Sequence, residues 1–170
     1  KKGFTPDAVL FDAETEFDTT GNPERSYKPH NFDKKFRGPI TMRNALAQSI
    51  NVPSVKTLYL AGIDNTLALV RAMGISTLNE RNRYGLTLAL GGGEVKLIDM
   101  IKGYSVFSRD GVLHKQAIIL SVEDKNKKTL ESYKDESEQV TDSGHVRLIN
   151  DILSDTAARS PLFHSSLNLT

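Results

Sequence analysis

No cysteine occurs among the 170 residues, which excludes disulfides and thiolate zinc sites and fits the cytosol and the cell exterior equally well. Charge of one sign is also lacking. The 22 basic and 21 acidic side chains leave a net charge of +1, so no polyanion-binding face is expected and nucleic acid is a poor partner. Long hydrophobic runs are missing as well. The longest apolar stretch, residues 116–122, is far short of the roughly 20 that a membrane helix needs, and the amino end has no signal-like segment. A membrane anchor is therefore expected outside this chain. There is no internal repeat and no low-complexity tract.

What remains is enough for one ordinary domain. With 38% hydrophobic and 25% charged residues, a chain of this size buries roughly 70% of the surface its unfolded form exposes, so neither a metal nor a cofactor is needed for stability. Lys1-Lys2-Gly3-Phe4-Thr5-Pro6 begins without a cap or turn, and Leu167-Asn168-Leu169-Thr170 stops as an extended run starts. Both ends are expected to be interior points of a longer domain.

Residues 1–40 read as an irregular lead-in with one short extended segment at 8–11 and turn signals at Gly21-Asn22-Pro23, Lys28-Pro29 and Gly38-Pro39. From 41 to 111 the pattern is helical. Thr41 can cap a helix that carries Met42, Ala45, Leu46 and Ile50 and stops near Asn51. Pro53 suits the first turn of a second helix, with Val55, Leu58 and Tyr59 buried and Gly62 at its end. A third is expected over 66–73, capped by Asp64 or Asn65, with Leu67, Val70 and Met73 apolar and Gly74 as its stop. Residues 86–90 and the triple glycine Gly91-Gly92-Gly93 lead into a fourth over 95–107, with Leu97, Ile101 and Tyr104 inward. In the segment 112–140, strands at 118–123 and 129–133 form a hairpin with a polar tip, and 134–139 is expected to be charged and mobile. The segment 141–170 holds a last helix, capped by Asp142 or Ser143 and running through Val146, Ile149 and Leu153, then a tail extended from Pro161. This is one partial domain, α+β and mainly helical, with a small antiparallel hairpin. Two strands rarely stand alone in water, so the hairpin should pack on these helices or on strands from outside the chain.

The most informative residues are Ser49-Ile50-Asn51, placed where two helices meet. There a hydroxyl and an amide two residues apart can face one cleft. An S-x-N tripeptide is a weak signal alone, and such residues often just satisfy backbone groups at a helix end. Other candidates are weaker. Gly91-Gly92-Gly93 lacks the spacing of a phosphate loop and reads as a turn. His30, His114, His145 and His164 have no partner at metal-ligand spacing and read as surface histidines. Asp12, Glu14, Glu16 and Asp18 alternate without an EF-hand pattern. Lys125, Lys127 and Lys128 read as a solvated hairpin tip.

The run from Gly38-Pro39-Ile40-Thr41-Met42-Arg43-Asn44-Ala45-Leu46-Ala47-Gln48 to Ser49-Ile50-Asn51-Val52-Pro53-Ser54-Val55-Lys56 closely resembles the segment carrying the second catalytic motif of class A penicillin-binding proteins. Leu88-Ala89-Leu90-Gly91-Gly92-Gly93-Glu94-Val95 with Tyr104-Ser105-Val106-Phe107 resembles that family's glycine loop and following helix. Ile149-Asn150-Asp151-Ile152-Leu153-Ser154-Asp155 is similar to the helix before its last motif. The resemblance runs from about Tyr27 to Leu169. It implies a piece of the penicillin-binding transpeptidase (β-lactamase-like) fold, whose site combines S-x-x-K, S-x-N and K-[ST]-G. Only the middle motif is present: no serine is followed three residues later by lysine, and Lys56-Thr57 and Lys128-Thr129 each precede leucine.

The resemblance thus implies a D,D-transpeptidase that acts on peptidoglycan stem peptides and binds β-lactams. Its parent would be anchored in the bacterial cell membrane, with this domain on the outer side. Ser49 would relay a proton between the motif lysine and the leaving amine, and Asn51 would hydrogen-bond the substrate. The isolated chain is expected to be inactive and to form a homodimer through uncovered surface. Alternatives of another class are a non-catalytic scaffold or sensor of the same fold, or an unrelated helical interaction domain.

Overall fold

The structure, a computed structural model, describes residues 3–17 and 26–164. The turn expected at Gly21-Asn22-Pro23, Asp18 and the last six residues lie outside the described residues. The lead-in is more ordered than its turn signals suggested. Its strand β1 (Val9–Asp12) pairs antiparallel with β2 (Gly38–Thr41), from Val9 opposite Thr41 to Asp12 opposite Gly38. Pro39 is tolerated because a two-stranded ribbon leaves each strand one free edge.

Helix α1 (Met42–Ala47) starts at Thr41, whose Oγ1 accepts from the Asn44 N–H at 3.2 Å. It ends at Ala47, before the expected Asn51, and α2 (Asn51–Ala61) follows after a short corner. Pro53 lies in the first turn of α2, where no N–H is missed. Val52, Val55 and Leu58 form the buried stripe. That stripe leaves Tyr59, expected inside, on its rim, with its ring 5.6 Å from that of Phe17. Gly62, at φ +85°, ends α2 and leads directly into α3 (Ile63–Ala72), so neither Asp64 nor Asn65 caps it; Asp64 pairs with Arg81 instead.

Phe17, Val55, Leu58 and Leu86 form one core cluster, and Leu67, Ile75, Leu78 and Tyr84 a second, with Ile63 and Leu88 packed against both. A 3₁₀ turn, Leu86–Leu90, closes on Gly91 at φ +97°. A Cβ on Gly93 would lie 2.9 Å from side-chain carbons of both Leu78 and Leu88. The triple glycine is therefore a turn packed tightly against the second cluster.

Helix α4 (Leu97–Ser108) overturns the expected inner face. Asp99, Gly103 and Val106 are buried, whereas Leu97, Ile101 and Tyr104 are 76%, 55% and 64% exposed. The two stripes lie on opposite sides of the helix. What draws the first one inward is polar: Asp99 accepts from the Ser76 N–H at 2.9 Å and the Ser76 hydroxyl at 2.6 Å. Gly103 lets Ile75 approach without a side chain between them.

The ribbon that follows comprises β3 (Val112–His114), β4 (Ser121–Glu123), β5 (Thr129–Ser132) and β6 (Ser137–Gln139). β4 pairs with β5 as expected, and β3 pairs with β6. Part of the segment expected to be mobile is thus a strand. Helix α5 (Ser143–Ser154) is capped by Asp142, which accepts from Gly144 and His145 N–H groups. The chain does not become extended at Pro161, which lies inside α6 (Thr156–Phe163). The Ser160 hydroxyl donates to the Ala157 carbonyl at 3.0 Å, replacing the N–H that Pro161 cannot supply. The described whole is mainly helical with small antiparallel sheets.

Gly111 turns the chain from α4 into β3 at φ +91°, and a Cβ there would overlap the Thr141 carbonyl oxygen. Gly111→Ala is expected to destabilise the chain by at least about 2 kcal/mol in thermal unfolding. Four carboxyls are held below their ordinary value of 3.8: Asp99 by Ser76, Asp135 by His114, Asp110 by Arg147 and Asp33 by Arg37. A carboxyl with a lowered folded pKa stabilises the fold above its unfolded pKa, and that contribution is lost as pH falls through the folded value. Denaturant unfolding should therefore show stability falling below about pH 4, with a shallower fall in Asp99→Asn.

Candidate functional site

Helix α1 stops because its last turn curls back on itself. The Ser49 N–H donates to the Leu46 carbonyl at 3.0 Å and the Ile50 N–H to the Ala45 carbonyl at 2.9 Å. This is the Schellman closure, with Ser49 at the position that glycine usually fills. Ser49 has φ +53°, a left-handed conformation that costs a residue with a Cβ about 1–2 kcal/mol. The accompanying apolar contact is present, since Ile50 and Ala45 pack with Ile40 of β2. Ser49 is exposed, and its hydroxyl has no hydrogen-bond partner among the described residues.

Asn51 is the first residue of α2. The residue before it, Ile50, offers no side-chain cap. The missing acceptor comes from 21 positions earlier: Asn31 Oδ1 accepts from the Val52 N–H at 3.1 Å. Beside it, Asn51 Nδ2 donates to the His30 carbonyl at 2.9 Å. Asn31 Nδ2 donates to both carboxylate oxygens of Asp12, at 2.8 and 2.9 Å, and to the Lys35 carbonyl at 2.8 Å. Asp12 is fully buried and Asn31 is 4% exposed. The Arg37 N–H donates to Asp12 Oδ2 at 2.9 Å, and the Arg37 guanidinium lies 3.8 Å away.

The structure therefore places Ser49 and Asn51 on the two sides of a single open corner. Ser49 presents a hydroxyl. Asn51, half-buried, keeps Oδ1 and one N–H beyond its bond to His30. Lys56, further along α2, is turned to the lead-in instead, its Nζ donating to the Phe11 carbonyl at 2.6 Å.

Sequence reasoning missed Asn31 and His30. The one signal that pointed to them is the α2 start itself, which follows an isoleucine and so needs a cap from elsewhere. Asp12 was singled out only as one of four alternating acids. Those described do not gather: Asp12 is buried with Asn31, while Glu14 and Glu16 are exposed and pair with Lys28 at 3.1 and 3.7 Å.

A second polar group lies between α4 and the ribbon, in an open groove of about 790 Å³ lined by Ile101, Ser105, His114, Leu120, Tyr133 and Asp135 among others. His114 Nδ1 is 2.8 Å from Asp135 Oδ1, and the Tyr133 hydroxyl donates to the same oxygen at 3.0 Å. Ser105 donates back to the Lys102 carbonyl at 2.7 Å, as a helix serine commonly does, so no free nucleophile completes this group. Among the described residues no cluster of three His, Asp or Glu side chains could hold a metal ion.

Comparison with known proteins bears on the family. The penicillin binding protein transpeptidase domain family matches residues 4–162. Penicillin-binding protein 1F of Bacillus subtilis (strain 168) is 29% identical over 173 residues, which cover 98% of this chain and 23% of that protein. Penicillin-binding protein 1A of Haemophilus influenzae is 30% identical over 132 residues, covering 76% of this chain and 15% of the relative. The chain thus spans about a quarter or less of the length of these curated relatives. The crystal structure of penicillin-binding protein 1A from Haemophilus influenzae superimposes with a TM-score of 0.79 at 23% identity, covering 89% of this chain and 27% of that one. The ceftriaxone acyl-enzyme complex of penicillin-binding protein A from M. tuberculosis gives 0.74 at 12% identity, covering 94% and 39%. At such identities the superpositions speak for the fold, and the sequence matches carry the kinship: the chain belongs to the penicillin-binding protein transpeptidase domain family, in its class A branch.

Proposed function

We propose that this chain is the S-x-N-bearing part of a serine D,D-transpeptidase that cross-links peptidoglycan stem peptides and is acylated by β-lactams. The observation that carries this reading is the Ser49–Asn51 corner itself, a left-handed serine with an unengaged hydroxyl inside the family match. A left-handed non-glycine residue persists where the surroundings enforce it, and such strain gathers at functional sites.

In this reading the nucleophilic serine and its lysine come from outside the chain, because neither S-x-x-K nor K-[ST]-G occurs in it. That serine attacks the D-Ala-D-Ala carbonyl, expels the terminal D-alanine and forms an acyl-enzyme, which an amine of a neighbouring stem then resolves. Ser49 suits a proton relay between the motif lysine and the leaving amine, since a hydroxyl donates and accepts at once. Asn51 suits substrate binding: the N–H left over from His30 can donate to a carbonyl, and Oδ1 can accept. Among the described residues no helix is long and apolar enough to cross a membrane; the reading puts the anchor elsewhere in the parent and this domain outside the cytoplasmic membrane. The exposed stripe of Leu97, Ile101 and Tyr104 is the face that the rest of the domain would cover.

In the parent enzyme, Ser49→Ala and Asn51→Ala should each lower the rate of acylation by a fluorescent penicillin about 100-fold. Ser49→Gly should show the same loss while raising thermal stability by about 1 kcal/mol, because glycine relieves the left-handed strain. Unchanged labelling in both alanine variants would sink the reading. The chain alone should gain no penicillin adduct in intact mass spectrometry. It should also dimerise in light scattering, through the α4 stripe, with Ile101→Lys restoring the monomer.

A further inference from the structure

The orientation of Asn31 is over-determined. Its Nδ2 faces three oxygens that only accept, two on Asp12 and one on Lys35, and its Oδ1 faces the Val52 N–H, which only donates. Turning the amide over would set oxygen against carboxylate and N–H against N–H. Asp12 is locked in turn by the Arg37 N–H. The His30 carbonyl, part of the peptide link to Asn31, meets Asn51 Nδ2 at 2.9 Å. One dipeptide, His30-Asn31, is thus registered against another, Asn51-Val52, through one side chain from each. Because a carbonyl cannot donate, the Asn51 amide has only one way round.

We propose that Asn31, held by Asp12, is a positioning residue for acyl transfer, fixing which face of the Asn51 amide meets the substrate. This rests on the reading of Asn51 as a substrate contact. Asn31 touches no reacting atom. It acts by keeping the His30 carbonyl and the α2 terminus in register, so that Asn51 needs no reorientation when substrate arrives, and misplacement of such a contact by even an ångström is costly.

The test is a double-mutant cycle in the full-length parent enzyme, read as the second-order rate constant of acylation by a fluorescent penicillin. Asn31→Ala should lower that constant about tenfold when Asn51 is present and less than twofold in the Asn51→Ala background, because a residue acting through Asn51 has nothing left to position. Equal losses in the two backgrounds would mean a general structural role and would overturn the proposal, as would no loss in the wild-type background. An inert Asn51→Ala would overturn it by a different route, since the functional reading itself then fails. Should Asn31→Ala not fold, Asp12→Asn keeps the shape, removes the acceptor-only partner of Asn31, and is judged in the same cycle by the same criteria.

Discussion

A fully buried carboxylate is tolerable only where donors surround it, and Asp12 finds them in the side chain of Asn31 and the backbone of Arg37. That requirement organises everything around it. It fastens residues 31–37 to β1, it turns Asn31 so that its oxygen can cap α2, and it brings the His30 carbonyl beside Asn51. The lead-in is anchored by Phe17 in the first core cluster and by Ile40 beside the corner, and its polar contacts with α2 fix the stretch between them. Lys56 adds one more from the α2 side by reaching the Phe11 carbonyl.

The corner between α1 and α2 is held from three directions. The closing hydrogen bonds of α1 fix Ser49 from behind, the Ile40, Ala45 and Ile50 cluster ties the corner to β2, and the Asn31 bond holds the first turn of α2 from the front. Each constraint alone is worth about 1 kcal/mol, comparable to the strain in Ser49. Together they can keep a serine where glycine would be easier. The same division of labour recurs at α4, where a polar anchor on Asp99 sets the orientation and leaves an apolar stripe outside.

Much of the helical order was legible because it rests on local rules. Thr41 and Asp142 cap helices as their residue types suggest, Pro53 sits in the first turn of one, and glycines close several. The S-x-N corner was legible for the same reason, since its residues are neighbours in sequence. The rest depends on pairings that leave no period. Asp12, Asn31 and Val52 are far apart in the chain, and nothing in the spacing links them. Helix α4 carries apolar residues on two sides, so periodicity pointed to Leu97, Ile101 and Tyr104 although hydrogen bonding to Asp99 decides which side turns in. Pro161 misled because a serine hydroxyl beside it restores the lost donor. The β1–β2 and β3–β6 pairs went unseen because their strands are short and their partners distant.

Arg43 of α1 reaches Asp151 at 2.5 Å and Asp155 at 3.3 Å, on and just beyond α5. The residues joined are 108 positions apart in sequence for the first of these contacts. Closing a loop of that length costs chain entropy, which this clasp recovers only together with the other contacts that hold α1 against α5. The clasp on the outer side of α1 is partly exposed, so it weakens as ionic strength rises. The S-x-N corner sits at the end of that helix, so part of its support comes from residues distant in sequence.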